Sequence, residues 1–274
     1  MKVTCLICPH FCRLEEGQTG LCRARKNLND TVVSMNYGRI TGIGLDPIEK
    51  KPLARFMPGS KILSVGSFGC NLSCPFCQNY EIACGGEEAS VRTISPSELV
   101  EMAVKMIPEG NIGVAYTYNE PLIGYEYVSD CARLVRQAGL KNIVVTNGYV
   151  NPGPLEELLP WIDAMNIDLK GFTETFYRRL GGDLEPVKAT IMAAVEACHV
   201  EITTLIIPGE NDSEEEMHAL SGWLAGLDPK IPLHISRFFP RHHYADRTPT
   251  PIDTINRLAD VARESLRHVY SGNC

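Results

Sequence analysis

The chain has 274 residues, 44% hydrophobic and 22% charged, which is ordinary globular usage and long enough for one large α/β unit plus a small module. Its net charge is -7, and the first sixty residues hold nine Lys/Arg against five Asp/Glu, so the acidic excess lies wholly beyond them and general nucleic-acid binding is not expected. No apolar run approaches membrane-spanning length and no signal peptide is evident; a cytoplasmic, reducing compartment is expected, where eleven cysteines serve metals rather than disulfides.

The N-terminus reads Cys5-Leu6-Ile7-Cys8-Pro9-His10-Phe11-Cys12, with Cys22 following after Gly17 and Gly20. Four cysteines this close make a self-contained metal site, with glycines letting the chain fold tightly around it. The spacing C-x2-C-x3-C-x9-C fits no single zinc-finger template, so zinc (with His10 as an alternative ligand) and a second Fe–S cluster both stand. Two short strands are expected over Thr31–Tyr37 and Ile40–Ile43 around Gly38. Dense proline and glycine between Asp46 and Ser60 then punctuate a boundary, giving a Cys-rich module with a short β-hairpin over 1–60 and a main domain over 61–274.

In the main domain, β-branched runs alternate with helical segments. Strands are expected at 61–67, 112–117, 142–146, 163–168, 200–207 and 232–237. Helices are expected at 96–107, 123–138, 153–160, 173–197 with a break at Pro186, 213–226 and 252–267. Ser95 before Pro96 and Ser213 before three glutamates are helix starts. Such alternation implies a parallel sheet with right-handed crossovers, and six units are too few to close an eight-stranded barrel.

After the first strand comes Gly69-Cys70-Asn71-Leu72-Ser73-Cys74-Pro75-Phe76-Cys77-Gln78-Asn79. Three thiolates at C-x3-C-x2-C can ligate three irons of a 4Fe–4S cluster and leave the fourth open to a small molecule. A zinc knuckle is the bland alternative, but zinc prefers four ligands in paired spacing. Ligands of parallel α/β folds bind beyond the carboxyl ends of the strands. Here those ends carry Tyr118-Asn119-Glu120-Pro121, Val145-Thr146-Asn147-Gly148, Asp168-Leu169-Lys170, Thr203 to Gly209, and Phe238-Phe239-Pro240-Arg241-His242. Cys84, Cys131, Cys198 and Cys274 are expected to be incidental, core or surface thiols.

The cysteine loop, with Phe76 before its last cysteine, resembles the signature of the radical S-adenosylmethionine (SAM) superfamily. The resemblance implies a partial (β/α)6 TIM-type barrel in which SAM chelates the open iron and is reductively cleaved to methionine and a 5′-deoxyadenosyl radical that abstracts hydrogen. Glu120-Pro121 matches the end of that family's Gly-Gly-Glu-Pro motif, with Tyr118-Asn119 in place of the glycines, so Asn119 and Glu120 are expected on the SAM amino group. Thr146-Asn147-Gly148 and Asp168-Leu169-Lys170 resemble the glycyl radical enzyme activases of the pyruvate formate-lyase type. There, oxygens of these segments bind a monovalent cation beside the SAM carboxylate; the acid of that pattern is replaced here by Val145. Lys170 is expected to pair with the carboxylate, and His242 falls on an activase histidine that contacts SAM. Taken whole, the chain resembles radical SAM proteins of the AmmeMemoRadiSam system. That resemblance implies a protein or peptide substrate, or a small molecule handled with partner domains, and an external electron donor of the flavodoxin or ferredoxin type. The rival from another class is a non-catalytic Fe–S or zinc redox protein, which would have no need of the strand-end polar residues.

Overall fold

The computed structural model describes residues 1–273; Cys274 lies outside the described residues. One sheet organises the chain. Its strands are β1 (Gly42–Pro47), β2 (Lys61–Gly66), β3 (Asn111–Tyr116), β4 (Lys141–Thr146), β5 (Ala164–Asp168), β6 (His199–Ile206), β7 (Leu233–Arg237) and β8 (Val269–Gly272). Their spatial order is β8-β7-β6-β5-β4-β3-β2-β1. From β2 to β8 neighbours pair in parallel, whereas β1 is antiparallel to β2, with Gly42 opposite Gly66 and Asp46 opposite Ile62. The sheet therefore has two unjoined edges, as a partial barrel does. All six expected strands are present. β8 is an addition, and the strand expected at Ile40–Ile43 runs instead mainly over Gly42–Pro47 as β1, which joins an edge of the main sheet, while the strand expected from Thr31 is Thr31–Ser34 and pairs antiparallel with Arg25–Leu28.

The helices of six residues or more are α1 (Pro96–Lys105), α2 (Tyr125–Gln137), α3 (Pro152–Leu158), α4 (Glu174–Arg179), α5 (Leu184–Ala197), α6 (Glu214–Leu227) and α7 (Ile252–Arg263). Ser95 and Glu98 form a full capping box at α1, and Ser213 caps α6 by accepting from the Glu216 backbone N–H. The helix expected over 173–197 is two helices, and the break falls at Gly181-Gly182 rather than at Pro186. Pro186 sits in the first turn of α5, where the missing N–H costs nothing; Gly181, at φ +78, takes the turn an L-residue would resist.

Alternation along each strand sorts the core. Leu63, Val65, Val114, Val144, Met165, Ile167 and Ile202 face outward into the large apolar layer under the helices. Ile62, Ala115, Ile143 and Ala164 face inward, where Ile48 and Leu53 close a small apolar floor. The segment carrying these last two residues plugs the barrel. Pro52 O accepts from Asn166 Nδ2 at 2.8 Å, and the Ala54 and Arg55 N–H groups donate to the fully buried Glu201 carboxylate at 2.9 and 2.7 Å. Above that floor the inward positions turn polar, so the strand ends open into a cleft.

Candidate active site

An open cleft of about 290 Å³ lies beyond the carboxyl ends of the strands. Its lining brings together Cys70, Cys74, Phe76 and Cys77 of the loop after β2 with Tyr118, Asn119 and Glu120 after β3, Thr146 and Asn147 at β4, and Asp168 and Lys170 at β5. Thr203, Leu205 and Ser236, inward positions of β6 and β7, also line it.

Asn119 holds the cysteine loop in shape. Its Oδ1 accepts from Ser67 N at 2.9 Å, and its Nδ2 donates to Phe68 O at 3.2 Å and Gly69 O at 3.1 Å. The side chain is thus spent on backbone groups of the loop. Phe76 is buried, stacked 6.2 Å from Phe176 and packed with Leu180, Ile207 and Phe238, so an apolar wall backs the cysteines. Burial pushes the Cys74 thiol up to about 11, and burial followed by the neighbouring Glu120 charge raises Cys70 further. Three thiols held together where ionisation is costly are a donor set that a cationic metal centre satisfies, because its charge stabilises the thiolates. The residues fit a cluster bound through three thiolates.

Glu120 is buried, and that burial lifts its carboxyl to about 7 against the hydrogen bonds that favour its charge. Those bonds are Asn147 N to Oε2 at 2.7 Å, Thr146 Oγ1 to Oε1 at 2.7 Å and Leu122 N to Oε1 at 2.9 Å. It thereby fastens the end of β3 to the end of β4. Lys170 Nζ donates to Asp168 Oδ2 at 2.7 Å. Although burial opposes its charge, Asp168 and the Cys74 and Cys77 thiols together hold the ammonium protonated, above its ordinary range. A cation thus stands beside the cysteine set, where an incoming carboxylate would need one.

His242 does not line the cleft. It is in a left-handed conformation at φ 54, and its ring stacks on Tyr80 at 4.6 Å. The N-terminal cysteines gather elsewhere, against the outer side of the cysteine loop: Cys5, Cys8 and Cys22 are buried, and Cys12 is partly so. Among the described residues, no three His, Cys, Asp or Glu side chains converge closely enough to hold a single metal ion.

Tyr118 is the cleft residue that sequence reasoning passed over. At φ 69 it turns its ring into the barrel, above Gly66, where a Cβ would stand 2.6 Å from the ring, and near Gly42 and Gly44. Its hydroxyl donates to Asp46 Oδ2 at 2.9 Å, the oxygen that also receives buried Lys51 Nζ at 2.8 Å, and the Lys51 ammonium lies 4.8 Å over the ring. Three glycines on facing positions of paired strands, read with a tyrosine where a glycine was expected, were the available signal.

The Radical SAM superfamily model matches residues 64–220, and the chain belongs to that superfamily. An uncharacterised protein of Methanocaldococcus jannaschii is 38% identical over 99% of this chain and 81% of its own length. The pyruvate formate-lyase-activating enzyme of Clostridium pasteurianum is 27% identical, over 58% of this chain and 67% of its own. Among solved structures, a radical SAM methyltransferase from Sphaerobacter thermophilus aligns with a TM-score of 0.61 at 17% identity, covering 79% of this chain and 67% of that one, which supports the fold. The superfamily implies a 4Fe–4S cluster and SAM. No helix among the described residues is long and apolar enough to cross a membrane.

Proposed function

We propose that Cys70, Cys74 and Cys77 hold the cluster, and that the cleft binds SAM to initiate hydrogen abstraction from a protein or peptide substrate. When bound, cluster and SAM supply reductive C–S cleavage and a 5′-deoxyadenosyl radical; the chain supplies position and charge. Lys170, steadied by Asp168, receives the SAM carboxylate. Glu120, with Thr146 and Asn147, fixes the strand ends that receive the amino group, and Asn119 acts on the same group through the loop backbone it orders. Phe76 and its aromatic neighbours keep water from one side of the cysteines. Thr146 and Asp168 are the oxygens available to a monovalent cation, with Lys170 competing for the latter.

The observation that carries this reading is the convergence of the three cysteines, Glu120 and the Asp168–Lys170 pair on one cleft, drawn from separate strand ends. The unjoined edges of the sheet leave a lateral opening suited to a bulky substrate. Glycyl radical installation is one reaction of this kind, in keeping with the activating-enzyme relatives; modification of another protein, a peptide or a small molecule with a partner protein is the other. The N-terminal cysteines hold a second centre, zinc or Fe–S, and an external one-electron donor serves the protein from the cytoplasm.

SAM binding to the anaerobically reconstituted protein tests the site. Lys170→Ala should weaken binding at least ~10-fold, about 1.4 kcal/mol, with iron content retained. Unchanged binding would remove Lys170 from the site and the assignment of the carboxylate with it.

A further inference from the structure

Asn147 is buried just past the end of β4, and its side chain is spent on the cysteine loop and on the segment after its own strand. Its Oδ1 accepts from Tyr149 N at 2.8 Å, which fixes the end of the amide that is nitrogen. Nδ2 then carries its two hydrogens to Asn71 Oδ1 at 2.9 Å and Cys70 Sγ at 3.6 Å. Asn71 is pinned in the same way, because its Nδ2 donates to Tyr149 O at 2.6 Å and leaves Oδ1 facing Asn147. Turning either amide over would set donor against donor, or acceptor against acceptor, at the Tyr149 backbone. His10 Nε2 donates to Asn71 O at 2.7 Å and holds that residue from the other side.

The three cleft cysteines differ in what surrounds them. Leu72 N also donates to Cys70 Sγ, at 3.4 Å, so this sulfur has both a backbone and a side-chain N–H partner. Among the described residues it is the one sulfur of the three that a side-chain N–H reaches, whereas Cys74 and Cys77 lie in the field of the Lys170 ammonium. Cys70 also has the Glu120 carboxylate near it, which opposes any added negative charge. Asn147 stands between the two groups: its backbone N donates to Glu120 Oε2 at 2.7 Å, and its side chain donates to the sulfur.

We infer that Asn147 is a positioning residue that acts through Cys70: its side-chain N–H···S bond favours the one-electron-reduced state of a cluster bound there and so raises the reduction potential of the site. The inference rests on the reading of Cys70, Cys74 and Cys77 as cluster ligands. Reduction adds one electron from the external donor and moves no proton, so the ligand sulfurs share the added negative charge. A hydrogen aimed at one of those sulfurs is therefore worth more after the electron arrives than before, and more so in a site from which water is kept out. Deleting the donor lowers the potential. A tie that only fastened the end of β4 to the cysteine loop would be complete with Tyr149 and Asn71, and its loss would show in metal loading rather than in potential.

The test uses the full chain, reconstituted anaerobically without SAM, as wild type, Asn147→Leu and Cys74→Ala. Iron and sulfide per chain are measured, and the paramagnetic resonance signal of the reduced protein is followed through a dithionite titration. The signal of the cleft is the one that Cys74→Ala lacks. Asn147→Leu should keep wild-type iron and sulfide, while at the wild-type midpoint its reduced-to-oxidised ratio falls about tenfold, a downward shift of about 59 mV for one electron. A midpoint equal to wild type, or a higher one, overturns the role of Asn147 and leaves the cluster reading standing. Should Asn147→Leu load iron poorly, wild type decides: with its asparagines isotope-labelled at the side-chain nitrogen, the cleft signal should carry a coupling to that nucleus. Absence of the coupling overturns the inference. If no signal of the iron-loaded wild type is lost in Cys74→Ala, the underlying reading falls as well.

Discussion

Glu201 is the group whose removal has the most calculable consequence. It is fully buried at the barrel floor, where its oxygens accept from Ala54 N at 2.9 Å and Arg55 N at 2.7 Å and lie 2.9 Å from His199 Nε2 and 2.6 Å from His234 Nε2. Burial alone would raise its carboxyl; the two histidines and the two backbone donors outweigh that and hold it at about 2, from an ordinary value of 4.5. A depression of that size corresponds to roughly 3 kcal/mol of stability near neutral pH. Because the folded-state value is the lower one, this stability is complete above the unfolded carboxyl's range, near 4.5, and is lost as pH falls from there through about 2. Glu201→Gln keeps the volume and one acceptor but removes the charge, leaving a backbone N–H or an imidazole without its partner. Urea unfolding at fixed metal loading should show a loss of roughly 2–3 kcal/mol at pH 7, or a midpoint lower by roughly 5–10 °C on heating. The difference from wild type should shrink as the pH is taken below about 4.5. A variant that melts with wild type at pH 7, or a difference independent of pH, would refute the role of Glu201 as the anchor of the 48–60 plug.

Gly69→Ala should separate the N-terminal knuckle from the cysteine loop, since the new Cβ meets the Cys22 carbonyl and the φ of +89 is unfavourable for alanine. A cost of at least ~1–2 kcal/mol and reduced iron retention are expected, measured by unfolding and metal analysis; wild-type values for both would contradict the close approach. Tyr118→Phe removes the hydrogen bond to Asp46 while keeping the ring above Gly66, so a loss of about 1–3 kcal/mol is expected with SAM affinity close to wild type. Tyr118→Trp, by contrast, has no room against Gly66 and should lower SAM affinity; equal affinity would show that the ring does not shape the cleft.

The main sheet was legible because inward and outward positions differ in kind: Leu63 and Val65, under the helices, alternate with Ile62, Ser64 and Gly66 on the opposite face of the strand. That Cys70, Cys74 and Cys77 line one cleft follows from their closeness in sequence within one loop. β1 was legible only at its start, Ile40–Ile43, since Gly44 and Pro47 beyond it are poor strand formers. They are explained only by what lies over them, the Tyr118 ring and its bond to Asp46. β8, four residues long, is too short to announce itself by periodicity. Pro186 drew the helix break that Gly181-Gly182 in fact makes, because proline in a first turn starts a helix instead of ending one. The commitments of Asn119 to the loop backbone and of the Asn71 side chain to Tyr149 O and Asn147 depend on contacts between residues tens of positions apart. Such pairings have no signature in a single sequence.

The central claim is that this cleft cleaves SAM, and the most direct measurement is of 5′-deoxyadenosine and methionine released by the anaerobically reconstituted, reduced protein. Equimolar release by wild type, with none from Cys74→Ala, is the expected result. No release from a fully iron-loaded, reduced protein, with or without candidate partner proteins, would contradict it.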